Sequence, residues 1–252
     1  MKVLLITQAR IGSTRLPGKI LLPVGEETLL SIHLKRLSEC TTVNQIAVAT
    51  TFEDGVNRLI DICKESEVDY NQGSLEDVLD RFYRTAIKYQ PEWVVRVTSD
   101  CPLLDHRVVD QVVNKAIQTN VDYCSNIITE DFPDGQDVEV FKFSVLERAW
   151  KEANLLSERE HVTPYIRNNS DLKGGELFKA YDVKCHSNFN SIRMTVDENA
   201  DLIAIRRLID ELGSSSTWEE YARYIINNSD SIGNTDIIRN EGYQKSLTKD
   251  TK

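Results

Sequence analysis

The chain has 252 residues, of which 40% are hydrophobic and 28% are charged, a composition typical of a globular protein with a substantial core. The net charge is −10, which argues against broad nucleic-acid binding, because that function needs many Lys and Arg residues on one face. No apolar run approaches the roughly 20 residues that cross a bilayer, so we expect a cytoplasmic protein without nucleic-acid or membrane partners.

The first half of the chain alternates between predicted strands and amphipathic helices. The opening apolar run leads directly into Gln8-Ala9-Arg10, which favours a buried strand over a signal segment. Such strands, apolar on both faces, predict a parallel sheet covered by helices on both sides, and a ligand crevice at the carboxyl ends of the strands. The predicted strands are 2–7, 45–51, 68–71 and 93–98, and the helices are 28–40, 54–67, a helix opening at Ser74, and 105–120.

The second half has a less regular pattern, with predicted strands at 137–143, 177–184 and 191–196 and helices at 144–153, 157–168, 202–212 and 217–227. No internal repeat or Pro/Gly-rich linker divides the chain, so we predict one domain over residues 1–240 with an inserted lobe at about 127–185. The polar residues 241–252 are predicted to be a loosely held tail. Five cysteines without CxxC spacing argue against a disulfide framework and a zinc site.

A cluster of basic residues follows the first predicted strand in this acidic chain. Arg10, Arg15 and Lys19 lie between Gln8 and Val24, a window without acidic residues. Gly12 and Gly18 allow backbone amides to converge on an anion, and the three cations suit a polyphosphate. Walker A and GxGxxG spacings are absent. A surface loop with scattered basic residues is the alternative interpretation.

Two predicted strands end in aspartates that would face the same crevice. Asp100 follows the strand at 93–98, and Asp197 follows the strand at 191–196, whereas Asp105 is better explained as a helix N-cap. Taken singly, Asp100 could be a turn residue and Asp197 a helix cap. Together beside a basic loop they predict a Mg²⁺ site, because Mg²⁺ prefers one or two carboxylates with phosphate oxygens and water.

These segments resemble the sugar-acid cytidylyltransferase superfamily, which includes the CMP-Kdo and CMP-sialic acid synthetases. QARIGSTRLPGK is similar to the nucleotide-binding signature of that superfamily, TSDCP to its metal-aspartate turn and TVDENADL to its second acidic motif. Four further segments resemble the spore coat polysaccharide biosynthesis protein F branch, and together the matches span nearly the whole chain. These four are GSLEDVLDRF, DGQDVEVF, EREHVTPYI and RNEGYQKSL.

The resemblance implies a three-layer α/β/α sandwich of the glycosyltransferase-A type, a homodimer formed through the inserted lobe, and CTP (or another NTP) as the donor. It places Mg²⁺ on Asp100 and Asp197. Thr98 stands where the synthetases often carry Gln, so that nucleotide contact departs from the family pattern. The other nucleotide-binding residues it implies are Ala9, Arg10, Gly12, Ser13, Arg15 and Lys19, with Ser74, Asp77 and Arg81 around the base or ribose.

The acceptor is expected to bind in the inserted lobe. Asp137 and Glu139 alternate on one strand face, so both could reach a pair of sugar hydroxyls, although an ordinary polar strand face is equally compatible. His161, with Arg159 and Arg167 nearby, could receive an acceptor carboxylate, or it could be a structural histidine. The predicted acceptor is therefore a small anionic molecule such as a sugar acid.

The predicted reaction is in-line attack of an acceptor oxygen on the α-phosphorus of the nucleotide, with pyrophosphate as the leaving group. Arg10, Arg15, Lys19, Asp100 and Asp197 are the predicted catalytic residues. Two alternatives stay open: a nucleotide-sugar glycosyltransferase of the same fold, which would need paired acids in the strand-end turn, and a non-catalytic nucleotide-binding or scaffolding protein.

Overall fold

The computed structural model describes residues 1–229, 232, 239 and 241–250. In chain order the strands are β1 (Val3–Gln8), β2 (Pro23–Val24), β3 (Glu27–Thr28), β4 (Gln45–Thr50), β5 (Asp69–Gln72), β6 (Trp93–Thr98), β7 (Tyr123–Ser125), β8 (Glu139–Lys142) and β9 (Ala180–Asp182). The helices are α1 (Leu29–Ser38), α2 (Val56–Glu65), α3 (Val78–Tyr89), α4 (His106–Thr119), α5 (Phe143–Glu152), α6 (Leu156–His161), α7 (Pro164–Asn168), α8 (Asn199–Leu212), α9 (Trp218–Asn227) and α10 (Glu241–Leu247).

The main sheet has seven strands within the described residues, in the order β5-β4-β1-β6-β8-β7-β9. The four strands from β5 to β6 are parallel, β8 runs antiparallel to both of its neighbours, and β9 is parallel to β7. The short strands β2 and β3 form a separate hairpin. The prediction of a mostly parallel α/β sheet is therefore confirmed.

The alternation of side chains along β1 separates two hydrophobic cores. Val3 and Leu5 pack on one face with residues of α1, α4, α8 and α9, whereas Leu4 and Ile6 pack on the other face with residues of α3 and α5. All four side chains are buried. Helices thus cover both faces of the sheet, as a strand apolar on both sides requires. Among the helices of the described residues, none combines the length and apolarity needed to cross a membrane.

The helix starts follow the capping residues of the sequence, with one correction. The Asp105 carboxylate accepts a hydrogen bond from the Arg107 amide and caps α4, as predicted. The helix predicted to open at Ser74 begins only at Val78, because Asp77 is its N-cap and accepts from the Asp80 amide. The Ser74 hydroxyl instead accepts from the Asp77 amide in the preceding turn.

Three predicted elements in the second half are wrong in detail. Residues 191–196 do not form a strand, and only Arg193 makes an isolated bridge, to Asp134. The helix predicted over 157–168 is divided into α6 and α7, because Val162 has a positive φ of 73° and Pro164 cannot continue the hydrogen bonding of α6. The predicted strand at 177–184 shrinks to the three residues of β9.

The carboxyl-terminal residues also differ from the prediction. Residues 241–247 form α10, which packs on α6 rather than trailing as a loose tail. The Asp250 carboxylate accepts from the Ser157 amide, and Lys249 pairs with Glu160 at 3.1 Å. The predicted inserted lobe at about 127–185 is continuous with the main sheet, because β8 lies directly between β6 and β7.

Candidate active site

Three chain segments meet at the carboxyl ends of β1 and β6. They are the loop after β1, the turn at 99–104 after β6, and the segment that leads from Arg193 to α8. The last two are joined directly, since the carbonyl oxygen of Asp100 accepts hydrogen bonds from the Val196 amide (2.7 Å) and the Thr195 hydroxyl (3.2 Å). The two predicted metal-binding aspartates are thus brought to one place without a strand at 191–196.

Lys19 lies between the two aspartates. Its ammonium group donates to Asp100 Oδ2 (2.9 Å), to Asp197 Oδ1 (3.0 Å) and to the carbonyl oxygen of Val196 (2.7 Å). Burial alone would raise the pKa of the Asp100 carboxyl, but the charge of Lys19 and hydrogen bonds from Thr98 and Lys19 hold that pKa well below its usual range. The pKa of Lys19 is raised in spite of burial, because both carboxylates favour its charged form.

Asp197 is in contact with three cationic side chains. Besides Lys19, Arg15 approaches its Oδ1 at 2.8 Å and Arg193 donates to its Oδ2 at 3.1 Å. Arg193 is buried and also binds Asp134 (2.6 Å) and Asp201 (2.8 Å). Burial would raise the pKa of Asp201, but hydrogen bonds from Arg193 and from backbone amides lower it. This network fixes the direction in which the Asp197 carboxylate points.

A buried histidine supports the turn that carries Asp100. His33 of α1 is fully buried, with Nδ1 2.9 Å from the carbonyl oxygen of Cys101 and Nε2 2.9 Å from the Thr7 hydroxyl. A carbonyl oxygen only accepts, so Nδ1 carries the proton and Nε2 accepts from Thr7. Burial lowers the pKa of His33 to about 4. Cys101 is a buried packing residue, and burial raises the pKa of its thiol.

The predicted phosphate loop is closed by an acid that the sequence did not reveal. The Glu53 carboxylate accepts from the amides of Gly12 (3.0 Å) and Ile11 (3.3 Å), and it also accepts from the Thr51 hydroxyl. A Cβ at Gly12 would lie 2.1 Å from Glu53 Oε1, so a larger residue here would displace the Glu53 carboxylate from this contact. The amides of Ile11 and Gly12 do converge on an anion, but that anion is the Glu53 carboxylate of the protein itself.

The other residues predicted to bind the nucleotide differ in their exposure and in their hydrogen-bond partners. Ala9 is buried and Arg10 is exposed, whereas the Ser13 hydroxyl accepts from the Leu16 amide. Arg81 is almost fully buried and donates to the Ser74 carbonyl oxygen. Burial first and then the charge of Arg10 lower the pKa of Arg81 to about 10. Arg81 therefore supports the 73–77 turn from the protein interior, and the positive charge of Arg10 acts on Arg81.

Asp77 and Thr98 have structural partners. Asp77 caps α3 and binds Arg159 through three contacts of 2.5 to 3.1 Å. The predicted role of Asp77 in the base or ribose pocket therefore has a competing structural explanation. The Thr98 hydroxyl lies 3.4 Å from the Cys101 sulfur and is only partly buried, on the crevice side of β6.

Two of the predicted acceptor residues contact the carboxyl-terminal segment: Asp137 through Arg239, and His161 through Tyr243. Asp137 pairs with Arg239 at 2.5 Å, and Glu139 is buried between Arg96 and Tyr123, both at 2.6 Å. Burial raises the pKa of Asp137, although Arg239 opposes this effect.

His161 packs edge-on against Tyr243 of α10 at 5.2 Å between ring centroids. Burial, followed by the charge of Arg96, lowers the pKa of His161 to about 4. Arg167 stacks on Tyr243 at 5.2 Å from the ring centroid. Arg159, which the sequence grouped with His161, pairs with Asp77, so its charge is already matched by a carboxylate.

Sequence reasoning missed the residues that hold these groups in place. They are Arg193, His33, Glu53, Arg96 and Arg239. Arg193 gave a usable signal, because a single arginine in the run Ser191-Ile192-Arg193-Met194 suggests a buried ion pair. The remaining contacts join segments that are distant in sequence and left no comparable local pattern.

The donor set of the site suits a metal bound jointly with a phosphate ligand. Among the described residues, no set of three or more His, Cys, Asp or Glu side chains is grouped to hold a metal ion. Asp100 and Asp197 converge on one ammonium group, which marks the position that a cation takes between them. Two carboxylates completed by phosphate oxygens and water are the ligands Mg²⁺ prefers, so the residues present fit that ion.

Several known proteins are similar to this chain. An uncharacterized protein of Methanocaldococcus jannaschii is 38% identical over 203 residues, 80% of each chain. Spore coat polysaccharide biosynthesis protein SpsF of Bacillus subtilis is 27% identical over 227 residues, 84% of this chain and 88% of that protein.

Solved structures are also similar to this chain. A cytidylyltransferase from Leptospira borgpetersenii has a TM-score of 0.87 and 32% identity, covering 95% of this chain and 100% of that one. A CMP:2-keto-3-deoxy-manno-octonic acid synthetase complexed with CTP has a TM-score of 0.63 at 16% identity, covering 84% of this chain and 99% of that one, which shows a common fold. The family model described as cytidylyltransferase matches residues 4–207. The chain therefore belongs to the cytidylyltransferase family.

Proposed function

We propose that this cytidylyltransferase is Mg²⁺-dependent and transfers CMP from CTP to a small anionic acceptor, such as a sugar acid, in surface polysaccharide or glycan biosynthesis. The observation that carries the proposal is the convergence of Asp100 and Asp197 on Lys19, next to Arg15 of the basic loop. This arrangement supplies both a pair of metal-binding carboxylates and mobile cations for a triphosphate. The similarity to SpsF and to the CTP-bound synthetase supports the donor and the acceptor class.

The side chains of the crevice would act by positioning and by neutralising charge. Arg15 and Lys19 would bind the β- and γ-phosphates and stabilise the pyrophosphate as it leaves. Arg10 is exposed and would hold the nucleotide end of the molecule, whereas Arg81 is buried against the Ser74 carbonyl oxygen and would act by fixing the 73–77 turn. Mg²⁺, held by Asp100 and Asp197, would supply charge neutralisation at the α-phosphoryl oxygens.

The acceptor would bind on the side of Arg96, Arg167 and Arg239. Glu139 pairs with Arg96 and Asp137 pairs with Arg239, and the charges of Asp134 and Glu130 also act on Arg239. An anionic acceptor would therefore have to displace these carboxylates from the arginines that it binds. His161 has a lowered pKa and would be neutral at pH 7. It would therefore contribute a hydrogen bond rather than a charge.

Pyrophosphate release tests this function. CTP, UTP, ATP and GTP are each incubated with Mg²⁺ and a panel of sugar acids that includes 3-deoxy-manno-octulosonate and a sialic acid. We expect pyrophosphate only when CTP, Mg²⁺ and one acceptor are all present, and none after chelation with EDTA. Turnover of a nucleotide sugar without pyrophosphate would instead support a glycosyltransferase, and binding of CTP without turnover of any acceptor would support a non-catalytic protein.

A further inference from the structure

The ammonium group of Lys19 fills the position between the two acidic residues. Its three hydrogen atoms are matched by three acceptors, on Asp100, Asp197 and Val196, at 2.7 to 3.0 Å. The side chain is only 12% exposed. Lys19 therefore satisfies both carboxylates by itself and leaves little solvent between them.

Arg15 adds a second positive charge at the same point. Its guanidinium approaches Asp197 Oδ1 at 2.8 Å, the same oxygen that Lys19 contacts at 3.0 Å. A divalent cation would need that oxygen at about 2.1 Å. It would have to compete for the same lone pairs while facing two like charges at close range, which is strongly unfavourable in a partly buried site.

A triphosphate can remove this obstacle. It offers several negative charges to which Lys19 and Arg15 can turn, and their departure leaves Asp100 and Asp197 free to bind a metal. Gly18, in a left-handed conformation (φ 64°), and the buried Ile20 fix the backbone on both sides of Lys19. The Lys19 ammonium group would therefore turn toward a triphosphate by rotation of the side chain alone. The Arg15 side chain is 33% exposed and can reach solvent.

We propose that Lys19 and Arg15 stand in for the divalent cation in the nucleotide-free protein, so that the metal binds only together with the nucleotide. This inference rests on the proposed function for the identity of the nucleotide. The blocking of the metal site by Lys19 is independent of that function. The contacts of Lys19 and Arg15 keep the two carboxylates charged and aligned in the absence of ligand, and they prevent free metal from binding without a nucleotide.

Mn²⁺ binding, measured from the loss of the free-ion signal in electron paramagnetic resonance, tests the proposal without any acceptor. The full-length protein is titrated with Mn²⁺ alone and with Mn²⁺ plus a CTP analogue that carries a methylene group between the α- and β-phosphorus atoms, and the Mn²⁺ that the analogue binds without protein is measured in parallel and subtracted. For the unmodified protein we expect binding at least about tenfold tighter with the analogue than without it. Lys19→Met should bind Mn²⁺ alone at least about tenfold tighter than the unmodified protein.

Matched variants separate this role from a general change in charge or fold. Lys35→Met removes an exposed lysine that pairs with Glu27, and it should leave Mn²⁺ binding unchanged. Lys19→Arg keeps a cation in place and should still exclude Mn²⁺. If a thermal melt shows that Lys19→Met is unfolded, Arg15→Gln replaces it, with the same direction of effect expected.

Equal Mn²⁺ affinity with and without the analogue, and no gain in Lys19→Met, would overturn the proposal. If the analogue does not bind at all, the proposed function fails, while the comparison between Lys19→Met and the unmodified protein still decides whether Lys19 blocks the site. Tighter Mn²⁺ binding that persists in Lys19→Met/Asp100→Asn would also contradict the proposal, because the ion would then be held elsewhere.

Discussion

Asp100 belongs to two parts of the site at once. Its carboxylate contacts Lys19, and its carbonyl oxygen accepts hydrogen bonds from the segment that carries Asp197. The backbone contacts do not depend on the side-chain charge. A substitution that removes the charge and keeps the shape should therefore leave the fold intact while weakening whatever the carboxylate holds.

Asp100→Asn is expected to lower the rate of pyrophosphate release from CTP by at least about 100-fold, because it removes one of two carboxylates that would hold a metal against the phosphates. Circular dichroism and thermal unfolding should show a folded protein. Asp61→Asn, at an exposed position of α2, serves as the control and should retain full activity. An Asp100→Asn protein as active as the control would remove Asp100 from the mechanism.

His33 gives the protein a predictable dependence on pH. Its pKa is about 4 in the folded state and 6.5 in a model peptide, because the folded protein buries it between Thr7 and Cys101. Between pH 6.5 and pH 4, His33 is protonated in the unfolded chain and neutral in the folded protein. The free energy of unfolding therefore falls as the pH is lowered from 6.5 to 4. The slope from this residue reaches roughly 1.4 kcal/mol per pH unit.

Urea unfolding at several pH values between 7 and 4.5 measures this slope. His161, whose pKa is also lowered to about 4, contributes in the same direction. His33→Gln can still donate to the Cys101 carbonyl oxygen and accept from Thr7, so the variant should fold, with a slope lower by up to roughly 1.4 kcal/mol per pH unit. Asp134, whose pKa burial raises to about 7, acts in the opposite direction in both proteins. Equal slopes in both proteins would show that His33 is not a buried neutral histidine.

The individual residues differed in how well the sequence predicted them. Asp100, Asp197 and Lys19 were expected together, because each follows a strand predicted from the sequence and carries the charge that a phosphate or metal site requires. Glu53 was missed because its partners in the loop after β1 lie about 40 residues away, and the ion pair of Arg193 with Asp134 likewise joins distant segments. Pairing between distant segments depends on tertiary packing, which local patterns do not encode.

At the level of elements, the connection between Gly135 and the segment before Asp197 is under tight steric control. Gly135 has a φ of 106°, and a Cβ there would lie 2.7 Å from the Met194 carbonyl carbon and 3.0 Å from the Thr195 nitrogen. Residues 191–196 were predicted to be a strand, but in the structure Met194 and Thr195 pack against the backbone of Gly135 instead. Residues 192–196 of that run are buried without sheet pairing, apart from the isolated bridge between Arg193 and Asp134.

Gly135→Ala is expected to destabilise the protein by about 2 kcal/mol, because it combines an unfavourable backbone angle with a clash against backbone atoms. Gly174→Ala is the matched control: its φ is also positive (81°), but nothing lies within 4 Å of the added Cβ. Chemical denaturation should show a smaller loss for Gly174→Ala. A loss in Gly135→Ala no larger than in the control would mean that this contact does not constrain the segment.

The helix α10 was predicted as a loose tail because its sequence is polar. Its attachment comes from Tyr243 against His161 and Arg167 and from the buried Ser246, and none of these contacts is visible in a hydrophobic pattern. The division of the predicted helix 157–168 was partly foreseeable, because Pro164 is a helix-breaking residue. The positive φ of Val162 was not.

Tyr243→Ala tests whether α10 seals the region around His161. Removal of the ring admits water to the imidazole, so the pKa of His161 should rise from about 4 toward 6.5 in a titration followed by nuclear magnetic resonance. Tyr70→Ala, an exposed tyrosine on β5, should leave that pKa unchanged. A pKa that stays near 4 in Tyr243→Ala would show that other elements bury His161.

At the scale of the whole molecule, the parallel strands were predictable because they are apolar on both faces and alternate with amphipathic helices. The antiparallel insertion of β8 was not predictable in the same way. Arg96 on β6 and Glu139 on β8 become neighbours only through that pairing. The pairing of Arg96 with Glu139, where the acceptor is proposed to bind, therefore depends on topology that a single sequence does not specify.

The homodimer implied by family resemblance stays a prediction for the whole molecule. Large apolar side chains are exposed between residues 127 and 185, among them Leu155, Leu156, Leu172 and Tyr181, and such residues favour association. Light scattering after size-exclusion chromatography should give the mass of two chains. A mass of one chain at all concentrations tested would contradict the prediction.

The fate of the α-phosphorus tests the central claim most directly. The protein is incubated with Mg²⁺, the sugar-acid panel and CTP labelled at the α-phosphorus, and the products are separated. The account predicts that the label appears in a CMP-linked acceptor, with one pyrophosphate released for each product molecule. Label that stays in CTP with every acceptor, or that appears only as free CMP without a linked product, would contradict the transfer of CMP at the site formed by Lys19, Asp100 and Asp197.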